Sequence, residues 1–403
     1  MTASEQVAHR RRRLVFAFFL VAFVVYNLNG RTISAGDNYP TRFLPFAMWG
    51  HGTVSLEPIL EATSMDRARP YWIQSSVRGE PVSMYPIVLP VLLAPTYGPV
   101  VGWLSLRGWT ERRIHDLAEL MEKVLASGLT AAGAAALLAL LLRRTRERDA
   151  LLLASGYAFA TNTWVTSSQG LWQHTLGQVL LIGILGLCQN DRRGRAFDVL
   201  LGLLVGLHAA NRPFNVLAVA PFVATRSLRS PRSWPGLGLG LLAGAGPFVA
   251  YNVHYFGHPG GFYAVLAKAR PVLLEQPLLE GFAGLLVSPS KGLFVFSPFL
   301  AFVAVRIWRR RAGPDGANDA AIGAGLLLHL ILFSRTDFTA GACYGPRFMV
   351  DVIPAVVWLL PPALGSLGRA ARTLFLIALA WGAGIQVIGA FRYPMGQSDL
   401  RDP

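Results

Sequence analysis

The sequence predicts an all-α, polytopic integral membrane protein of about 11 spans, and three observations carry that prediction. Only 15% of the 403 residues are charged and 53% are hydrophobic, whereas a soluble domain has about 25% charged residues. Apolar runs such as residues 14–28, 199–210 and 373–390 are bounded by arginine clusters. They have roughly the length that a ~30 Å hydrocarbon layer demands, and lipid offers the backbone no partners, so each must coil into a helix. The net charge of +15 is dispersed between the spans, at residues 10–13, 143–148, 192–195, 226–232, 306–311 and at Arg369 with Arg372. Such dispersal is a topology signal rather than the continuous basic face of a nucleic-acid-binding protein, so nucleic acid is not an expected partner. With the clusters assigned to the cytoplasm, the N-terminus lies inside, and membrane lipids surround the chain.

The first span follows a basic stretch, as in a signal peptide, but no small-residue cleavage site follows residues 26–29. It therefore reads as an uncleaved helix over 14–28. The loop over 29–114 is far longer than a connection requires, and its Trp, Tyr and Phe content argues for ordered juxtamembrane helices. Within it, residues 85–106 are apolar enough for a span, yet Pro86, Pro90, Pro95 and Pro99 each remove a helix donor and crowd the preceding turn. Counting that segment as a span would also put Arg143, Arg144, Arg146 and Arg148 outside. It is expected as a broken interfacial or re-entrant segment on the outer face.

The remaining spans then fall near 115–142, 150–167, 173–190, 197–210, 214–225, 234–254, 292–308, 318–333, 347–364 and 372–390, which brings all six basic clusters to the inner side. Further outer segments are 255–291 and 334–346, and a tail over 391–403 lies outside, beyond a single transmembrane domain of residues 1–390. Cys188 and Cys343 fall on opposite faces and cannot pair within the chain. There is no internal repeat, nucleotide-binding glycine motif or metal-type Cys/His spacing.

Residues able to do chemistry collect at the outer ends of the spans. Asp37, in Gly36-Asp37-Asn38-Tyr39-Pro40, follows the first span; a carboxylate there suits a general base or a metal ligand, and equally a helix cap. Glu57, after Val54 and Leu56 and before Pro58, is a candidate acceptor or metal contact, against the ordinary hydration of an interfacial acid. Asp37, His51 and Glu57 are donor types that a divalent cation accepts, but their spacing matches no dedicated site, so no cofactor is assigned. Between the third and fourth spans, a polar group that includes Asn162, Gln169, Trp172 and His174 should face the bundle or a cavity. His174 there suits a bond to a substrate or phosphate, or a tie within the hairpin.

Three cationic motifs also lie at outer ends, against the positive-inside rule: Asn211-Arg212-Pro213, Ser288-Pro289-Ser290-Lys291-Gly292 and Gly341-Ala342-Cys343-Tyr344-Gly345-Pro346-Arg347. An Arg fork matches phosphate and a Lys supplies a point charge, so together they suit a phosphorylated lipid headgroup; singly, each would snorkel to the interface. Arg347, behind a turn shaped by Gly345 and Pro346, is the strongest of the three.

In their order, Asp37, Tyr85-Pro86, Leu171-Trp172-Gln173-His174, Asn211-Arg212-Pro213, Ser288 to Phe294 and Tyr344-Gly345-Pro346-Arg347-Phe348 resemble bacterial GT-C glycosyltransferases. The pattern is similar to protein O-mannosyltransferases and lipid A aminoarabinose transferases, and the likeness spans nearly the whole chain. The resemblance implies a multi-pass enzyme of the bacterial plasma (inner) membrane with its active site on the extracytoplasmic side. It implies transfer of a sugar, with inversion, from a polyprenyl-phosphate donor to an extracytoplasmic acceptor, whether protein, lipid or polysaccharide. Asp37 would be the base, Arg347, Lys291 and Arg212 would hold the donor phosphate, and His174, Glu57, Tyr85 and Tyr344 would contact substrate. In such families a Lys commonly precedes the Tyr-Pro motif and meets the lipid phosphate; Met84 stands there in this chain, which shifts the expected contact to Arg347 and Lys291. Inverting transfer needs a base for the acceptor and positive charge for the departing phosphate, and the outer-face residues offer both. Two rivals stay open. A transporter or flippase of lipid-linked saccharides would use the same cations but should show repeated halves and mid-membrane ionisable groups. A ligase using pyrophosphate-linked polymers fits the cations and His174 but explains Asp37 less well.

Overall fold

A computed structural model describes residues 3–394 apart from 64, 66–69, 190–193, 270–273, 309–315 and 342. The basic clusters at 192–195 and 306–311 therefore lie only partly within the described residues, and the tail over 391–403 lies outside them beyond residue 394. In chain order the helices are α1 (Ala3–Asn27), α2 (Tyr39–His51), α3 (Glu57–Ala62), α4 (Val88–Arg107), α5 (Glu111–Leu141), α6 (Glu147–Phe159), α7 (Gln173–Cys188), α8 (Arg195–Asn211) and α9 (Val216–Leu228). They continue with α10 (Trp234–Phe256), α11 (Gly261–Ala269), α12 (Leu278–Val287), α13 (Leu293–Phe296), α14 (Val303–Trp308), α15 (Gly316–Ser334), α16 (Ile353–Trp358), α17 (Leu360–Gly365) and α18 (Arg369–Arg392). Each expected span has a helical counterpart. Those over 292–308 and 347–364 are interrupted where Pro298, Pro354 and Pro361 start new turns, because a proline ring cannot continue the ladder behind it.

The polarity of the bundle follows from α1 and α5. At one end Asn27 Nδ2 donates to Ser127 Oγ at 2.9 Å and Lys123 Nζ to the Tyr26 carbonyl at 2.8 Å; at the other, Arg10 meets Glu147, just past α5, at 2.6 Å. The two helices are antiparallel, so the chain leaves α1 and enters α5 at the same end of the bundle, the Asn27 end. Elsewhere backbones come into direct contact. Gly202 and Gly206 of α8 face Gly240 and Gly244 of α10, and a Cβ on any of them would strike the opposing backbone. Small residues at i, i+4 are how helices approach closely in lipid, where no hydrophobic force drives them together.

The loop over 29–114 folds as a subdomain at the Asn27 end. Phe43, Phe46, Ile59, Trp72, Tyr97 and Leu104 pack with Ile114 and Ala118 of α5 into a second core, distinct from that of the bundle. A short antiparallel hairpin, β1 (Ile73–Ser75) with β2 (Pro81–Ser83), pairs Ile73 with Ser83. Periodicity does not announce strands of three residues.

One expectation is corrected here. The proline-rich segment is not broken: α4 is a continuous 20-residue helix, long and apolar enough to cross a membrane. Pro90 sits in its first turn, where no donor is required, whereas Pro95 and Pro99 lie inside the helix without ending it; Trp49 Nε1 of α2 donates to the Ala94 carbonyl at 2.5 Å along the same stretch. Nevertheless its start, Val88 and Leu89, packs with Ala126 of α5, and its end, Leu104, packs with Ile114 and Ala118. Both ends of α4 thus flank the first half of α5, at the Asn27 end.

Candidate active site

Asp37 enters on a short 3-10 turn, Gly36–Asn38, just after α1. That turn is pinned from both sides. Ile33 N–H donates to the Gln169 carbonyl at 2.9 Å, and the buried Glu122 of α5 accepts from Arg42, from Asn38 Nδ2 at 3.4 Å and from Leu171 N–H at 3.0 Å. One carboxylate therefore joins the Asp37 turn to the turn that carries Trp172 and His174. Gly36 leaves the space into which the Tyr71 ring projects.

Arg347 arrives from the opposite wall. Gly345 adopts a left-handed φ of 68°, where a side chain would also strike Asn162. Asn162 Nδ2 holds the Tyr344 carbonyl at 2.5 Å. The Arg347 guanidinium donates to Asp37 Oδ2 and lies 5.3 Å from the centre of the Trp172 ring. Asp37 Oδ1 accepts from Tyr85 at 2.5 Å and from Tyr71 at 3.2 Å. Burial pushes the Asp37 pKa up, but the Arg347 charge and the bonds from Tyr85, Arg347 and Tyr71 outweigh it, and the carboxyl titrates below its usual range. The Tyr85 phenol is raised by its burial and by the neighbouring carboxylate.

Beneath this pair lies a second. Arg212 Nη1 donates to Asp351 Oδ2 at 2.5 Å, and His174 Nδ1 lies 3.0 Å from Asp351 Oδ1. Arg212 Nη1 is also 2.8 Å from His174 Nδ1 and 3.4 Å from its Nε2. Nδ1 cannot donate to one and accept from the other; protonated at Nδ1, the ring bonds Asp351 and leaves Nε2 as the acceptor facing Arg212. The Arg212 guanidinium is flanked by Phe333 and Phe348 at 5.2 and 5.8 Å.

Asp37, Tyr85, Trp172, His174, Arg212 and Arg347 line one cavity of about 20 Å³ together with Tyr263 of α11, room for little more than one water. Tyr85 and Tyr263 also form a wall of a larger, mainly apolar cavity of about 190 Å³, lined by Met84, Ala210, Phe248 and Phe262 among others. A polar, charge-rich pocket and an apolar chamber thus adjoin across two tyrosines.

No protein-family profile and no curated protein matches the chain. Among solved structures, the chain is similar to the crystal structure of ArnT from Cupriavidus metallidurans in the apo state, with a TM-score of 0.51 at 14% sequence identity over 92% of this chain. The chain has a GT-C-like fold. It spans 62% of the length of that ArnT structure.

Within the GT-C-like fold, the expected site residues divide. Asp37, Tyr85, His174, Arg212 and Arg347 converge on the pocket; Lys291, Glu57 and Tyr344 do not line it. Lys291 Nζ donates to the Cys343 carbonyl at 2.7 Å, so its charge braces the loop that leads to Arg347. Glu57 is exposed at the start of α3, and the Tyr344 hydroxyl is spent on the Ile385 carbonyl at 2.8 Å. Among the described residues, no three His, Cys, Asp or Glu side chains are placed to hold a metal ion. Cys188 and Cys343 are free thiols. Residues that pattern reading passes over are Tyr71, Tyr263 and Asp351. Only Asp351 left a signal, as a carboxylate inside an otherwise apolar run four residues after Arg347.

Proposed function

We propose that this chain is a GT-C-type glycosyltransferase that moves a sugar from a polyprenyl-phosphate donor to an extracytoplasmic acceptor with inversion. The observation that carries the reading is the convergence of Asp37, Arg347 and Arg212 on one pocket beside an apolar chamber. The chamber suits the first isoprenoid units of the donor, and the arginines suit its phosphate. Met84, where related enzymes commonly carry a Lys, lines the apolar side, so the phosphate contact falls to Arg347 and Arg212. Lys291 supports them by holding the carbonyls of Gly341 and Cys343.

In the reaction, the acceptor hydroxyl gives its proton to the Asp37 carboxylate as its oxygen attacks the anomeric carbon from the face opposite the phosphate. The bond from that carbon to the phosphate oxygen breaks, its electron pair leaves with the polyprenyl phosphate, and the arginines offset the growing charge. The pair between Asp37 and Arg347 must open first, because a cavity of about 20 Å³ admits neither sugar nor phosphate. Donor phosphate competes for Arg347. Once Arg347 turns to it, Asp37 loses the charge that depresses its pKa while its burial remains, and it becomes a stronger base. The same exchange that binds donor therefore arms the base.

The deciding experiment is in vitro transfer from defined polyprenyl-phosphate sugars by the purified chain, paired with mass spectrometry of cell-envelope glycans with and without the protein. A product that forms with wild type and not with Asp37→Asn supports the reading. Full turnover by Asp37→Asn removes the mechanism, and no change in any envelope glycan removes the activity.

A further inference from the structure

At the end of the bundle opposite Asp37, the pair α1/α5 leaves an open groove of about 530 Å³. Ala132, Ala136 and Ala139 of α5 form its floor, and Phe16 and Phe19 of α1 its wall. Alanines at i, i+4 and i+7 present one face of a helix with nothing beyond Cβ. The facing phenylalanines stand one turn apart, with ring centres 6.4 Å from each other. A low floor beside a tall wall makes a channel where two helices would otherwise pack flush.

The mouth of the channel is Arg11, Arg12 and Arg143. Neighbouring Arg10 is neutralised by Glu147 at 2.6 Å, and among the described residues no carboxylate pairs with the other three. From Ala132 to Leu141, where α5 ends two residues before Arg143, the helix rises about 14 Å, which is close to one leaflet's share of a ~30 Å hydrocarbon layer. An acyl chain lying on the alanines would bring its phosphate level with the three guanidinium groups.

We propose that this groove binds an anionic phospholipid, with one acyl chain on the alanine floor and the phosphate held by Arg11, Arg12 and Arg143. The site is remote from the Asp37 pocket and does not depend on the transferase reading. A second copy of the chain is a poorer occupant: in the parallel orientation a membrane imposes, docking groove to groove would set the same arginines against each other.

The test uses the full chain in mixed micelles containing equimolar phosphatidylglycerol and phosphatidylcholine of matched acyl chains, with retained lipid read by native mass spectrometry. Wild type is expected to retain phosphatidylglycerol over phosphatidylcholine by about tenfold or more. Replacing Arg11, Arg12 and Arg143 together by Gln should abolish the preference. These side chains are exposed and leave the fold intact. Ala136→Trp, which fills the floor, should lose lipid of either class, whereas Arg369→Gln, at the start of α18, should behave as wild type. Equal retention of the two lipids by wild type overturns the proposal, as does undiminished phosphatidylglycerol in the triple variant. So does an equal loss in Arg369→Gln, which would mark a merely basic surface, or a dimer that Ala136→Trp abolishes, which would put a second copy in the groove.

Discussion

Arg347 and Asp37, separated by 310 positions in the chain, form a partly buried ion pair whose cation also packs against the face of Trp172. As it stands, each partner quenches the other. A carboxylate held below its ordinary pKa is a weak base, and a guanidinium engaged by a carboxylate is not free for phosphate. Four predictions follow from this pocket and its supports, and a fifth from the bundle's polarity.

The pH dependence has a definite sign. Since Asp37 titrates below its reference value of 3.8, it stays ionised above that range and loses its proton-accepting form only as pH falls through the lowered value. The acid limb of kcat/KM, which reports the free enzyme, should therefore lie below the usual carboxylate range. In Arg347→Gln the burial persists without the opposing charge, so the limb should move upward, alongside a rate loss of about 10²–10³. A pH–rate profile with the limb unmoved would separate Asp37 from the chemistry.

Asp37→Asn should lose about 10²–10⁴ in kcat while binding donor at least as tightly as wild type, because phosphate no longer competes with a carboxylate for Arg347. Titration with a non-transferable donor analogue reads this directly. Weaker donor binding in the variant would contradict the exchange.

Asp351→Asn leaves Arg212 buried without its counter-charge, and breaking a buried pair costs about 3–5 kcal/mol. Thermal unfolding of the full chain in detergent should show a clear drop in Tm. An unchanged Tm would mean that Arg212 finds water or another partner.

Lys291→Ala removes a charge-assisted bond to the Cys343 carbonyl, a loss of about 1.5–3 kcal/mol. It should lower Tm and weaken donor binding less than Arg347→Ala does. If the two variants lose donor affinity equally, Lys291 meets the phosphate itself.

The orientation is open to a labelling test. Thr145→Cys, placed between α5 and α6 in a chain whose Cys188 and Cys343 are replaced by Ser, should react only with reagent applied from the N-terminal side of the membrane. Reaction from the face that carries Asp37 would invert the arrangement.

The apolar periodicity determined that the chain is a helical bundle and where its helices fall along the sequence, since lipid forces each span to close its own hydrogen bonds. Arg347, Arg212 and His174 were legible as candidates because each is a cation or a polar ring at the end of an apolar run, away from the arginine clusters. Tertiary structure decided the rest. Whether Lys291 meets a ligand or a carbonyl depends on where the Cys343 backbone lies, and no spacing encodes that. Tyr71 and Tyr263 are ordinary aromatic residues until folding brings their hydroxyls to Asp37 and to Gln173. The proline-rich α4 runs on through Pro95 and Pro99 while packed against α2, a tertiary contact that a rule about isolated helices leaves out. The pairing of Asp37 with Arg347 joins distant parts of the chain, so only the folded bundle could state it.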